Sequence, residues 1–210
     1  ADVIKLFRKK LDENDLFIEN DDVLVEIVTG VIKGNVILQG PPGTGKTAIS
    51  KVICETFNTT PITITAIDDW TTYDTIGGLF PMAQNGREVI VGRNGQIVES
   101  IVECCNTIID REIKTEESAR KGKEQAAWLI IDELNRAEID KVFGDLFTVL
   151  GSSDNQDVRK MNLWFHENQD KQQLVVPNRY RIIGLMNNVD KNYVNDLSQA
   201  LSRRFTFITI

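Results

Sequence analysis

Short apolar runs alternate with amphipathic stretches along this chain, and the two periods divide it into elements. Asn35-Val36-Ile37-Leu38-Gln39, Pro61 to Ala66, Ala127-Trp128-Leu129-Ile130-Ile131, Tyr180 to Met186 and Phe205 to Ile210 are brief and mostly β-branched or aromatic, which predicts five core strands. Ile49, Val52, Ile53 and Phe57 recur at the spacing of one helix face, as do Ile97, Ile101, Cys105 and Ile108. Ile139, Val142, Phe143, Leu146, Phe147 and Leu150 predict one further helix, and Leu197 with Leu201 another before the final strand. Upstream, Val3, Ile4, Phe7 and Leu11 form a helical stripe; Asn20-Asp21-Asp22 offers the N-cap of a second helix to about Lys33, stopped by Gly34.

Strands separated by helical segments predict an α/β fold with a mostly parallel sheet covered on both faces. Residues 1–34 are expected to be N-terminal helices and 35–210 the core of a single domain. Two smaller features accompany it. Glu88 to Val91 alternates like a strand, with Gly92-Arg93-Asn94-Gly95 as turn chemistry, and Leu163-Trp164-Phe165 with Gln173 to Val176 reads as a hairpin. Asp110 to Gln125 reads as a solvated helix end and loop.

Composition narrows the class. Of 210 residues, 41% are hydrophobic and 26% charged, as in ordinary globular proteins. No apolar run approaches the ~20 residues of a membrane span and no signal peptide opens the chain, so the expected location is cytoplasmic. Cys54, Cys104 and Cys105 form no C-x-x-C pair, and the lone His166 cannot build a zinc site. The net charge of -7 argues against gripping nucleic acid through the bulk field, without excluding a local basic loop.

The chemistry is concentrated after the first strand. Gly40-Pro41-Pro42-Gly43-Thr44-Gly45-Lys46-Thr47 fits Gly-x-x-x-x-Gly-Lys-[Ser/Thr] at every fixed position, between a predicted strand and a predicted helix. Small residues there let successive backbone N–H groups face one concavity at a helix N-terminus, where a polyphosphate sits. Lys46 can reach the β- and γ-phosphates and Thr47 can ligate Mg²⁺. Asp132-Glu133 ends the clearest buried strand; carboxylates there need a metal, a partner or a helix to cap. Beside the phosphate loop, Asp132 can hold Mg²⁺ and Glu133 can polarise a water. Asn187, with Asn188 as its neighbour, tips the next strand and can hold that water or the γ-phosphate. Arg203 and Arg204 precede the last strand, placed either to neutralise a neighbouring subunit's phosphoryl group or to form surface ion pairs. Leu16-Phe17-Ile18 packs either on a nucleotide base or on the domain, and Asp68 to Gly78 is either a functional loop or a capped turn.

The phosphate loop, the Leu-Ile-Ile-Asp-Glu-Leu-Asn-Arg-Ala-Glu segment from Leu129 and the Ser-Arg-Arg-Phe ending resemble an AAA+ NTPase module. Asp-Glu-Leu-Asn-Arg from Asp132, Lys-Val-Phe-Gly-Asp-Leu from Lys141 and Met186-Asn187-Asn188-Val189-Asp190 are most similar to the dynein-related/MoxR-type branch and its McrB-like group. That resemblance covers roughly 23–210. It implies a P-loop three-layer sandwich with strand order 5-1-4-3-2, Walker A at Gly40–Thr47, Walker B at Asp132 and Glu133, sensor 1 at Asn187 and an arginine finger at Arg204 with Arg203 close behind. It implies Mg²⁺-dependent hydrolysis of a nucleoside triphosphate, ATP preferred and GTP the McrB-like alternative. The implied assembly is a homo-hexamer or other ring that remodels or translocates a protein or nucleic-acid substrate, with a nuclease partner in the McrB-like case. The branch's helix-2 insertion and pre-sensor hairpin correspond to Glu88–Val91 and Leu163–Val176. Its helical lid has no counterpart before Ile210.

Overall fold

Five parallel strands form the central sheet in the order β2-β5-β8-β1-β9, where β1 is Asn35–Gly40, β2 Thr60–Thr65, β5 Ala127–Asp132, β8 Ile182–Asn187 and β9 Phe205–Thr209. Numbered among core strands alone, that is the expected 5-1-4-3-2. The computed structural model describes residues 2–151, 159–187 and 201–210. Asn188 and Leu197 lie outside them. The three inner strands are buried almost throughout, with Ile37, Leu38, Leu129, Ile130, Ile182 and Ile183 at 0% exposure. Burying each such side chain stabilises the fold by about 1.5–3 kcal/mol. The alternating exposure of β2 marks it as a sheet edge.

Helices α1 (Asp2–Glu13) and α2 (Asp21–Lys33) precede the sheet. The Asn20 side chain accepts from the Asp22 amide and caps α2 as its sequence suggests. At the other end, Arg181 donates from Nε to the Val31 carbonyl at 2.8 Å, satisfying an orphan acceptor of the last turn. Helix α3 (Lys46–Thr56) follows the phosphate loop, a single turn α4 (Thr72–Thr75) follows β2, and α5 (Gln96–Glu112) crosses back towards β5.

Three sequence expectations are corrected. The hairpin of β3 (Gly77–Gln84) and β4 (Arg87–Asn94) turns at Asn85-Gly86, with φ of 52° and 75°, and not at Gly92–Gly95. Asn-Gly with both residues at positive φ is the geometry that matches strand twist. Gly92 is a strand residue, and Gly95 caps α5. The single helix expected over Ile139 to Leu150 is two, α6 (Ile139–Phe143) and α7 (Leu146–Gly151), divided where Gly144 adopts φ +45°. The second hairpin pairs β6 (Lys160–Asn162) with β7 (Gln173–Val175). Leu163 and Phe165, expected in its first strand, are instead buried loop residues.

Candidate functional site

Parallel strands end on a common rim, and register defines it. Gly40 of β1 lies opposite Asn187 of β8, and Thr65 of β2 opposite Asp132 of β5. The phosphate loop leaves this rim. Gly43 and Gly45 take φ of +84° and +76°, which residues with a Cβ adopt only at a cost. Gly40 is required for another reason: a Cβ there would come within 2.5 Å of the Ile210 carbonyl. Pro41, Pro42 and Gly43 are exposed at the loop's crest, and Thr44 donates to the Pro41 carbonyl at 3.0 Å.

Lys46 is 8% exposed. Its ammonium donates to the Gly40 carbonyl at 3.0 Å, the Pro41 carbonyl at 2.7 Å and the Thr44 hydroxyl at 3.5 Å. All are neutral acceptors, and among the described residues no carboxylate forms a salt bridge with it. A buried cation satisfied only by neutral oxygens is electrostatically incomplete.

Across the loop, the Thr47 hydroxyl donates to Asp132 Oδ2 at 3.0 Å. The other Asp132 oxygen accepts from the Glu133 amide at 2.9 Å. Glu133 occupies the left-handed region, φ 53° and ψ 37°, unusual for a residue with a long side chain. The following turn is fixed by Leu134, whose side chain is fully buried against β8 where a Cβ on Gly184 would come within 2.6 Å of it. Both Glu133 carboxylate oxygens accept from Asn187 Nδ2, each at 3.0 Å. The expected Walker A, Walker B and strand-tip residues are thus neighbours on one rim.

Sequence reasoning missed Asn135, whose Oδ1 accepts from the Asn187 amide at 3.5 Å. The quoted Asp-Glu-Leu-Asn-Arg run contained it, but only the left-handed turn at Glu133 carries it back to the tip of β8. Leu16 lies against the loop, within 3.5 Å of where a Gly45 Cβ would be; Phe17 beside it is 77% exposed, and Ile18 is buried. Of the Asp68 to Gly78 segment, Trp70 is buried and Thr71 forms a capping box with Asp74, so local capping accounts for most of it.

Arg203 and Arg204 stand apart. Phe205 pairs with Asn35, at the start of β1, whereas the phosphate loop leaves its end. Five residues of strand, at ~3.3 Å each, place the arginines ~17 Å from that rim along the sheet. Arg203 is exposed. Arg204 Nε donates to the Phe147 carbonyl at 2.6 Å, with the guanidinium 4.8 Å from the centre of the Phe147 ring.

Magnesium fits the donors present: Thr47 Oγ1 and Asp132 Oδ2 are hard oxygens converging beside the loop. Among the described residues no group of three His, Cys, Asp or Glu could hold a metal.

Comparison with known proteins places this geometry. Residues 35–205 match the AAA domain of the dynein-related subfamily. The chain is 31% identical over 202 residues to the type IV methyl-directed restriction enzyme EcoKMcrB subunit of Escherichia coli K12, covering 94% of this chain and 39% of that protein. It therefore spans about two-fifths of that relative's length. A solved structure from Cytophaga hutchinsonii, described as a candidate ATPase, superposes with a TM-score of 0.54 at 13% identity, covering 99% of this chain and 51% of that one; it supports the fold alone. No helix among the described residues is long and apolar enough to cross a membrane. The chain belongs to the AAA family of P-loop NTPase domains, in its dynein-related subfamily.

Proposed function

We propose that this chain is the large nucleotide-binding subdomain, with 35–210 as its core, of a ring-forming AAA+ motor that hydrolyses the β–γ bond of a nucleoside triphosphate, ATP in preference to GTP. The observation that carries the reading is the buried Lys46 ammonium surrounded by neutral acceptors. A triphosphate against the amides of residues 40–47 supplies the missing anion, with Lys46 exchanging its carbonyl contacts for phosphate oxygens. Thr47 and Asp132 are the protein's ligands to Mg²⁺, which when bound neutralises charge on the phosphates. Leu16 and Phe17 are placed to cover the base.

Glu133 is the base: it takes a proton from water as the water oxygen bonds to the γ-phosphorus and the bridging bond to the β-phosphate breaks, yielding nucleoside diphosphate and inorganic phosphate. Asn187 holds the Glu133 carboxylate in the resting chain and is free to turn its amide to the γ-phosphate once nucleotide is present. Arg204, oriented by Phe147 and flanked by Arg203, serves the site of an adjoining subunit; its distance from its own rim supports a role in trans. The moved partner is a protein or nucleic acid, the assembly a hexamer or other ring, and the setting cytoplasmic.

A second reading is favoured by the E. coli relative, a methyl-directed restriction enzyme subunit: following the McrB-like resemblance, this chain is then a GTP-hydrolysing subunit of such a system, working with a nuclease partner. Phosphate release measured with ATP and GTP separates the two. The test common to both is Glu133→Gln, which retains nucleotide binding and loses hydrolysis by about 10²-fold or more. Unchanged turnover would remove Glu133 from its role. Binding without turnover in the unsubstituted protein would leave a nucleotide-gated module.

A further inference from the structure

A cavity of about 610 Å³ lies beside the sheet edge, away from the phosphate loop, between β2, α4, the β3–β4 hairpin and α5. Ile62 and Ile64 of β2 contribute its apolar side, and Tyr73 and Phe80 an aromatic one, their rings edge-on at 6.0 Å. Tyr73 is 51% exposed, so this aromatic surface faces solvent. Along α5, Glu99 and Glu103 also line it, one helical turn apart and both exposed. Among the described residues neither carboxylate makes a salt bridge. A third carboxylate, Asp74, is engaged in capping Thr71. The single cationic side chain in the lining, Arg93, lies over the Phe80 ring at 5.6 Å.

The wall formed by the hairpin is held in place. A Cβ on Gly92 would come within 2.1 Å of the Phe165 carbonyl, so the backbones of the two hairpin regions touch. Asn94 Oδ1 bonds His166 Nε2 at 2.7 Å across the same junction. The outer edge of β2 has no strand beside it among the described residues, leaving main-chain donors and acceptors at the cavity's margin.

We infer that this cavity docks an extended segment of a partner protein, in which a lysine or arginine adjoins an aliphatic or aromatic side chain. The apolar residue fills the space over Ile62, Ile64 and Tyr73, and the cation is received by Glu99 and Glu103. Charge complementarity selects this occupant: three carboxylates face the cavity against one guanidinium, and an acidic segment would meet like charge. The pinned hairpin means little ordering is needed before binding.

The test is selection from a randomised peptide display library on the protein. The strongest selected sequence is then synthesised and measured by fluorescence anisotropy. The expected enrichment is of a basic residue beside an aliphatic or aromatic one. Affinity should fall about 10-fold or more in Glu99→Gln/Glu103→Gln. It should stay within about twofold in Glu116→Gln/Glu117→Gln, which removes the same charge from another exposed stretch. No enrichment, enrichment of acidic peptides, or equal losses in the two double variants would each overturn the assignment.

Discussion

Asn187 donates to both oxygens of Glu133 in the resting chain, and Glu133 itself sits at φ 53°, so the two residues define the geometry of the candidate base together. Asn187→Ala should lower hydrolysis by roughly 10²-fold, the scale of losing one aligned amide donor. Nucleotide affinity should change much less, since the loop amides and Lys46 supply most of the contacts to the phosphates; equilibrium binding beside phosphate release checks both halves. The thiols form a contrasting case. Burial pushes Cys54 up to about 12 and Cys104 up to about 11, and raises Cys105 as well. At pH 8 a thiol reagent should therefore react slowly with the folded protein, and with all three cysteines only after denaturation. Rapid native labelling of Cys54 or Cys104 would contradict the packing described. The phosphate loop, Asp132, Glu133 and Asn187 were legible as residues because their chemistry is tied to strand ends. Asn135 was not, because a left-handed main-chain turn, rather than any side-chain pattern, brings it to β8.

At the scale of elements, the core strands declared themselves through short apolar runs, while the hairpins were legible only in part, their turns and strand bounds being misplaced. The sequence expectation takes Gly92-Arg93-Asn94-Gly95 as the turn and passes over Asn85-Gly86, and only tertiary contact explains Gly92. Its lack of a side chain admits the Phe165 carbonyl. Gly92→Ala should accordingly destabilise by about 1–3 kcal/mol, the range for forcing extra volume into a packed contact; denaturant unfolding measures it. His166 joins the same junction through Asn94, and its pKa is held low by burial and then by Lys171, with Glu99 acting in the opposite sense. The folded state therefore favours neutral His166. Its contribution is present above the unfolded pKa, near 6.5, and is lost as pH falls from there towards the folded value. Thermal unfolding should show a decline from pH 7 towards pH 5 that is shallower in His166→Gln. Equal slopes would remove His166 as the titrating group.

For the whole molecule, the sheet separates two chemistries. Phosphate loop, Thr47, Asp132, Glu133 and Asn187 share the rim where strands end, while Arg203 and Arg204 sit where β9 begins. Strand order was legible through family resemblance, but this separation follows from register. It predicts that Arg204→Ala abolishes turnover while Arg203→Ala reduces it. Mixing Arg204→Ala with Glu133→Gln should restore part of the activity, because each variant supplies what the other lacks at a shared interface. No recovery over a range of mixing ratios would confine the arginines to a structural role. The central claim, that a triphosphate completes the environment of Lys46, is tested most directly by thermal unfolding of the protein with Mg²⁺ and ATP or GTP, beside Lys46→Ala. At about 100 times its Kd the nucleotide should add about 2.7 kcal/mol, a rise of roughly 5–10 °C in Tm, and that rise should disappear in Lys46→Ala. No rise with either nucleotide, or an equal rise in the variant, would contradict it.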